Sequence, residues 1–210
     1  MRLFLGGSNG LALYEDGELT KGAHEGVLCL VRPKPGLVLA GTESGCLLRW
    51  DTNAEAEVVA KDLGEAVTAL ALATGGKVIA GTMPPGIWVS KDGGGSWKEL
   101  PMLRSAPGCE GWSAPWGPPL VCTIAVHPKD SKTIYCGIEK GGLYRSRDGG
   151  KKWLNLTIPA SDVHCIQVSP ARHERVYVAT GNPTGCGGFC SDDGGFTWRT
   201  MSLGTQRTYT

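Results

Sequence analysis

A short pattern that occurs three times constrains the fold of this chain more than any other feature of its sequence. The pattern reads S-x-D-G-G-x-x-W and begins at Ser90, Ser146 and Ser191. Its aspartate and serine can accept backbone N–H groups of their own turn, its glycines allow a positive φ without steric cost, and its tryptophan covers the turn. Shared turn geometry explains this repetition better than three separate active sites. The residues to which we assign a structural role are Ser90, Asp92, Gly94, Trp97, Ser146, Asp148, Gly150, Trp153, Ser191, Asp193, Gly195 and Trp198.

Apolar runs of strand length surround each of these turns. An apolar strand, a glycine-bearing turn and a second strand lead into them at 78–90, 134–146 and 176–191. The same piece recurs nearer the N-terminus with a degenerate turn, at 3–17 and 37–51. A further apolar strand precedes the later copies and forms a hairpin with the strand that follows it. Each repeat therefore predicts four short strands, in the order a, b, c and d.

Five such repeats predict an all-β chain, namely a β-propeller of four-stranded antiparallel blades. A blade cannot bury both of its faces alone, so neighbouring blades must stack face to face. The first copy starts at strand b, and the chain stops at Thr210, about where a closing strand would begin. We therefore expect an incomplete ring, completed by additional blades or by oligomerisation. A single propeller domain covers 1–210, with repeats at approximately 1–25, 26–62, 63–104, 120–158 and 159–203.

The repeated turn resembles the Asp-box, which is also called the bacterial neuraminidase (BNR) repeat. This repeat occurs in sialidases, in some other glycosidases, in sortilin-like receptors and in many non-enzymatic propellers. The segments Trp112-Ser-Ala-Pro-Trp116 and GIEKGGLYRSRDGG, together with the final QRTYT, are similar to a group of bacterial BNR-repeat propellers that are labelled glycosyl hydrolase or sialidase-like. The resemblance covers the whole chain through its repeats. It implies the propeller fold and is a poor predictor of function.

The catalytic residues of a sialidase have no recognisable counterpart in this sequence. A sialidase has an arginine triad, a tyrosine nucleophile with its glutamate, and an acid/base aspartate, and its first arginine lies in an Arg-Ile-Pro motif. The nearest string here is Val31-Arg32-Pro33, in a turn between strands a and b. Glycosidases of other families need two carboxylates that face one bond. In propellers of this kind the b–c and d–a loops form the upper face, where the candidate catalytic carboxylates are Glu110, Glu139 and Asp162.

A proline-rich insertion at 101–121 separates the third repeat from the fourth. It places Trp112 and Trp116 on either side of Pro115, with Arg104 upstream. Tryptophans on an exposed loop can form a sugar-stacking platform or a protein-docking patch. The alternative is that they fold back to plug the channel or to seal a junction between blades. The predicted ligand-binding residues are Arg104, Trp112, Trp116, His164 and Asn182.

Charge and hydropathy exclude several classes of partner. The net charge is +1 and no basic block stands out, so we expect no nucleic-acid partner. No apolar run approaches the ~20 residues that a membrane-spanning helix needs, so we expect no membrane partner. The N-terminus is too glycine-rich for a signal peptide. These observations predict a cytoplasmic protein.

Five of the eight cysteines lie within apolar strand-like runs, where a thiol behaves as a small hydrophobe. We therefore expect buried free thiols at these positions. The spacing of Cys186 and Cys190 falls within the range of zinc ligands, but no second pair follows it. We accordingly predict no metal and no cofactor. The cysteines expected to be buried are Cys29, Cys46, Cys122, Cys136 and Cys165.

Three classes of function fit these observations. The first is a binding propeller that holds a protein or a carbohydrate without chemistry, which is favoured because no catalytic set is visible. The second is a glycoside hydrolase, which the BNR resemblance, the loop tryptophans and the candidate carboxylates support. The third is an assembly-factor scaffold, similar to the Asp-box propellers that help to build photosynthetic complexes.

Overall fold

A computed structural model describes residues 2–51, 54–113, 117–181 and 187–201 of the chain. The chain forms two compact units, Met1–Pro101 and Met102–Thr210. The described residues fold into five antiparallel sheets and contain no α-helix, so the prediction of an all-β chain is confirmed. None of the helical segments found in these ranges has the length and apolarity that crossing a membrane requires. Short 3-10 helices lie at Thr74–Gly76, Pro101–Ser105 and Cys109–Gly111.

The first unit contains three sheets in which sequence neighbours pair, as the repeat predicts. The first sheet has three strands in the order β1-β2-β3, because the first copy of the repeat begins at strand b. The second and third sheets have four strands each, β4-β5-β6-β7 and β8-β9-β10-β11. The strands are β1 (Arg2–Gly7), β2 (Gly10–Glu15), β3 (Glu18–Ala23), β4 (Val27–Lys34), β5 (Leu37–Thr42), β6 (Leu47–Asp51), β7 (Glu57–Ala60), β8 (Ala66–Leu72), β9 (Val78–Met83), β10 (Ile87–Ser90) and β11 (Lys98–Glu99).

The second unit contains the other two sheets, β12-β13-β14-β15 and β16-β17-β18-β19. Strand d is short in both, because the tryptophan of the repeated turn lies just before the strand and not within it. The strands are β12 (Val121–His127), β13 (Asp130–Ile138), β14 (Gly142–Ser146), β15 (Leu154–Leu156), β16 (Asp162–Val168), β17 (Val176–Gly181), β18 (Gly187–Ser191) and β19 (Arg199–Met201).

Burial decreases from the inner strands of each sheet to its outer strand. Every residue of β5 is buried, whereas β3 is largely exposed. A strand that is buried on both faces reads as a continuous apolar run, which explains the sequence LVLAGT of β5. Strand d forms an outer edge and carries more polar residues. The sheets are therefore apolar on two faces and depend on their neighbours for burial.

Within each unit, the cores lie between successive sheets. In the first unit, Leu11 of the first sheet packs with Val38 and Leu48 of the second. In the second unit, Tyr135 of the fourth sheet packs with Ile166 of the fifth. Full burial of each such side chain stabilises the fold by about 1.5–3 kcal/mol.

A glycine on strand b allows the next sheet to approach closely. A Cβ at Gly41 would lie 2.5 Å from Cγ1 of Val67 in the following sheet. A Cβ at Gly137, the same repeat position in the second unit, would lie 2.5 Å from Cγ1 of Val163. Both distances are shorter than any normal carbon–carbon contact. The glycines at these two positions are therefore required by stacking between sheets.

The seven described cysteines are free thiols, and of the five that were expected to be buried only one is fully buried. Cys136 is buried and Cys29, Cys46 and Cys122 are half-buried, but Cys165 is exposed. The pairing register of β16 shifts between Val163 and Cys165, which interrupts the alternation of inward and outward side chains. The same shift precedes Cys29 in β4, which stays half-buried because its thiol donates to the carbonyl of Val67 in the following sheet at 3.4 Å. The exposure of Cys165 therefore reflects the lack of a following sheet among the described residues. The predicted zinc alternative included Cys186, which lies outside the described residues.

Candidate functional site

The aspartate of each repeated turn accepts hydrogen bonds from residues of the same turn. We call these three turns box turns (90–97, 146–153 and 191–198). In the fifth sheet, the Ser191 hydroxyl donates to Asp193 Oδ1 at 2.7 Å, and the N–H groups of Phe196 and Thr197 donate to the same oxygen at 2.9 and 3.0 Å. Asp92 and Asp148 receive equivalent bonds within their turns. The hydroxyl of Thr197, followed by its N–H, holds the pKa of Asp193 well below its usual range. These carboxylates are engaged by their own turns.

A box turn also contacts the preceding sheet of its unit. The carbonyl of Gly194 accepts hydrogen bonds from the Tyr135 hydroxyl, at 3.2 Å, and from the Arg145 guanidinium. A Cβ at Gly195 would lie 2.6 Å from Cδ1 of Leu156. The box turn of the third sheet packs on Leu39 of the second sheet in the same way. The turns therefore connect one sheet to the next.

The insertion packs on the outer strands of the fourth sheet. The indole of Trp112 meets the ring of Tyr144 edge-on, with 5.4 Å between the centroids, and its N–H donates to the Tyr144 hydroxyl at 2.8 Å. That hydroxyl donates to the carbonyl of Pro107 at 3.2 Å and accepts from the amide of Asn155 at 3.2 Å. Trp112 is therefore a half-buried anchor of the insertion. Arg104 and Glu110 of the same segment are exposed, whereas Trp116 lies outside the described residues.

A cavity of about 610 Å³, which we call the insertion groove, lies between the insertion and the fourth sheet. One wall is formed by Pro107 and Gly108 of the insertion and by the b–c turn, whose Gly142 N–H donates to the carbonyl of Ser161 at 2.9 Å. The other wall is the continuous segment 155–161, which comprises the end of β15 and the five residues that follow it. The groove has a size that is typical of ligand sites. It lies at the end of the sheet opposite the box turn.

A second group of polar residues, the strand-end cluster, surrounds Cys122 at the beginning of β12. Burial, followed by the charges of Glu139 and Asp162, raises the pKa of the Cys122 thiol to about 12. Asp162 pairs with His164 at 3.0 Å, and a Cβ at Gly181 would lie 2.7 Å from Asp162 Oδ2. Glu139 and Asp162 therefore both lie close enough to Cys122 to act on the pKa of its thiol.

None of the remaining predicted site residues that the structure describes is among the groups that act on the Cys122 thiol. Glu110 acts electrostatically on Tyr144, on the side of the insertion groove. Asn182 lies outside the described residues. No group of three metal-ligating side chains occurs in the ranges that the structure describes.

The sequence did not single out Tyr144, Asn155 or the segment 157–161. Tyr144 belongs to an apolar strand, and the groove residues are glycine, proline, alanine, serine and threonine, which carry no chemical signal on their own.

Comparison with solved proteins assigns the fold. No family model matches the sequence, and neither does any curated protein. An ancestral GH74 enzyme superposes with a TM-score of 0.74 at 14% identity, over 95% of this chain and 29% of the other. The GH74 enzyme of Niastella koreensis has a TM-score of 0.57 at 16% identity, over 93% and 42%. YCF48 from Cyanidioschyzon merolae has a TM-score of 0.61 at 14% identity, over 93% and 65%.

The chain has a β-propeller fold. It spans 29%, 42% and 65% of the lengths of these three structures. At these low identities the similarity carries the arrangement of antiparallel blades and not the chemistry. The similar structures include both GH74 enzymes and YCF48, so the shared fold does not indicate one function. The chemistry must therefore be argued from the residues of this chain.

Proposed function

We propose that this chain is a protein-binding propeller of the Asp-box type, which holds an extended segment of a partner polypeptide in the insertion groove. The observation that carries the proposal is the lining of that groove. Its residues are glycine, proline, alanine, serine, threonine, asparagine, leucine and isoleucine, and none has a titratable side chain. Such a lining offers hydroxyl, amide and backbone groups for hydrogen bonding but no general acid or base.

The wall formed by 155–161 suits an extended ligand. Strand β15 is the outer strand of its sheet, and its last two residues, Asn155 and Leu156, line the groove. An extended peptide can add to such an edge through main-chain hydrogen bonds, while pockets for alternate side chains give specificity. The Tyr144 hydroxyl holds Pro107, Trp112 and Asn155 in place, so the groove is formed before the ligand arrives. Preorganisation of this kind lowers the entropic cost of binding.

A peptide library displayed on phage tests this proposal. The library is selected against the wild type, and the affinity of enriched peptides is then measured for Thr157→Trp, which places a large ring in the groove. Thr157 is exposed and follows the outer strand β15, so the substitution leaves the core intact. We expect the affinity to fall by about tenfold or more, which corresponds to ~1.4 kcal/mol.

The matched control is Thr20→Trp, since Thr20 is exposed on β3, the outer strand of the first sheet. This variant should bind the enriched peptides like the wild type. Equal binding by all three proteins would contradict the proposal. A signal on a glycan array that Thr157→Trp abolishes, without any enriched peptide, would assign the groove to carbohydrate and overturn the peptide assignment.

Glycoside hydrolysis is a second candidate, favoured by the strand-end cluster. Glu139 and Asp162 both act on Cys122, and two neighbouring carboxylates are what acid/base hydrolysis of a glycosidic bond requires. Turnover of a panel of fluorogenic glycosides by the wild type would support this function if Glu139→Gln and Asp162→Asn abolish it. Glu110→Gln is the control, because Glu110 lies near Tyr144 and should leave turnover unchanged.

A further inference from the structure

The box turn of the fourth sheet carries basic residues where the other two described box turns do not. Arg145 stands before its serine, where the third and fifth sheets have Val89 and Cys190. Lys152 stands before its tryptophan, where the other turns have a hydroxyl. In those turns the hydroxyls of Ser96 and Thr197 donate to the box aspartate at 2.6 Å. The fourth sheet lacks this bond and has a cation in its place.

Arg145 is a buried cation with only partial compensation. Its residue is 4% exposed, it donates to the carbonyl of Gly194, and its guanidinium lies 4.4 Å from the centroid of the Phe196 ring. Within the described part of the chain, no carboxylate lies within ion-pair distance of it. Removing a guanidinium from water is costly unless an anion or several acceptors compensate it. Burial, followed by the charge of Arg147, lowers the pKa of Arg145.

Trp153 also departs from its counterparts. The indole N–H of Trp97 donates to the carbonyl of Gly94 at 3.0 Å, and that of Trp198 donates to the carbonyl of Gly195 at 3.0 Å. The N–H of Trp153 is buried and finds no acceptor among the residues that the structure describes. A buried donor without a partner costs about 1–3 kcal/mol. The same motif therefore leaves one donor unsatisfied in the fourth sheet alone of the three.

The three residues that depart from the pattern share one cavity of about 280 Å³, which is lined by Arg145, Arg147, Asp148, Lys152, Trp153 and Leu154. We propose that this cavity, the basic box pocket, binds a tetrahedral oxyanion such as a phosphate group. The side chains of Arg145, Arg147 and Lys152 supply charge-assisted donors, and an oxyanion adds acceptors to those that Gly194 and Glu174 provide. The site is independent of the insertion groove.

The two nearby carboxylates do not neutralise the pocket. Asp148 accepts the Ser146 hydroxyl and the N–H groups of Lys151 and Lys152, so its charge is directed into its own turn. Glu174 lies 3.6 Å from Arg147, and both of these side chains are more than half exposed. An exposed pair of this kind contributes about 0–1 kcal/mol and yields readily to a competing anion.

The test is a titration of inorganic phosphate into the full chain at constant ionic strength. The indole N–H resonance of Trp153, assigned with Trp153→Phe, is followed by two-dimensional NMR. We expect a saturable shift of this resonance. Lys152→Thr should weaken the apparent affinity about tenfold, through loss of one charge-assisted contact, and Arg147→Gln should act similarly. Lys152→Thr installs the residue of the fifth sheet, so it should fold normally.

The matched control is Lys91→Gln, because Lys91 occupies in the third sheet the position of Arg147. It should leave phosphate binding unchanged. An unshifted Trp153 resonance, or an equal affinity of wild type and Lys152→Thr, would overturn the proposal. A second titration with O-phosphoserine distinguishes the source of the ligand: tighter binding than inorganic phosphate indicates a phosphorylated side chain, and weaker binding indicates the free ion. Either result retains the oxyanion site.

Discussion

Removal of the Tyr144 hydroxyl tests most directly whether this group holds the insertion against the fourth sheet. Tyr144→Phe preserves the ring, and therefore the edge-on contact with Trp112 at 5.4 Å, while it removes a single oxygen. That oxygen takes part in three hydrogen bonds, with Trp112, Pro107 and Asn155. Each is worth about 0.5–1.5 kcal/mol net. Because Asn155 is exposed and can turn to water, only the bonds with Trp112 and Pro107 count, and we expect a loss of about 1–3 kcal/mol in the free energy of unfolding.

Urea denaturation followed by tryptophan fluorescence measures this loss, and hydrogen exchange of the Trp112 indole N–H reports its location. The exchange of this proton should accelerate together with the global destabilisation. Tyr14→Phe is the control, because Tyr14 is 39% exposed on β2 and its hydroxyl should contribute little. A loss below about 0.5 kcal/mol with unchanged indole exchange would refute the reasoning, since the insertion would then be held by something other than this hydroxyl.

Three further predictions follow from the box turns and the thiols. Gly93→Ala should lower the free energy of unfolding by about 1–2 kcal/mol through its positive φ alone. Gly94→Ala should lower it further, because the added Cβ would lie 2.9 Å from Cδ1 of Leu39. Thermal unfolding of the two variants measures the difference. The depressed pKa of Asp193 contributes stability that is present above about pH 4 and is lost as the pH falls through the folded-state value. Thr197→Val should make this loss shallower in unfolding experiments between pH 5 and 2. An unchanged dependence of stability on pH would contradict the prediction. Iodoacetamide at pH 7.5 should alkylate exposed Cys165 quickly and Cys122 slowly, because the pKa of Cys122 is raised to about 12; equal labelling by mass spectrometry would show that the Cys122 thiol is accessible and ionised.

The sequence predicts the blades because their determinants are local and repeated. Apolar strands and the S-x-D-G-G-x-x-W turn recur in the same order along the chain, so each copy supports the interpretation of the others. The position of Trp112 could not be predicted in this way. It depends on the hydroxyl of Tyr144, which lies within a strand that reads as apolar in the sequence. The exposure of Cys165 depends on which sheets pack against β16, and the alternation within its own strand does not reveal this.

The candidate sites were predicted less completely for a related reason. Asp162 and Glu139 were predicted because carboxylates on loops are evident in the sequence. Their location near Cys122 depends on how the sheets stack, and the sequence does not show this. The insertion groove is built from small residues and backbone, whose binding capacity arises only from their arrangement. The unsatisfied N–H of Trp153 belongs to a turn that shares its defining residues, S-x-D-G-G-x-x-W, with two turns in which this N–H is satisfied. Such a departure becomes visible only when the acceptors are compared turn by turn.

The bonds to the Gly194 carbonyl limit how blades of this propeller can be exchanged in protein engineering. The acceptor is supplied by one repeat, whereas its donors, Tyr135 and Arg145, are supplied by the repeat before it. A chimera cut at the boundaries of the sequence repeat would separate the two halves of this joint and leave a guanidinium buried without its acceptor. Recombination points placed in strand b before Tyr135 and after the box turn of the next blade would keep these donors and their acceptor in one fragment. The unit that can be transferred intact is therefore the contact between two neighbouring blades, and not a single blade.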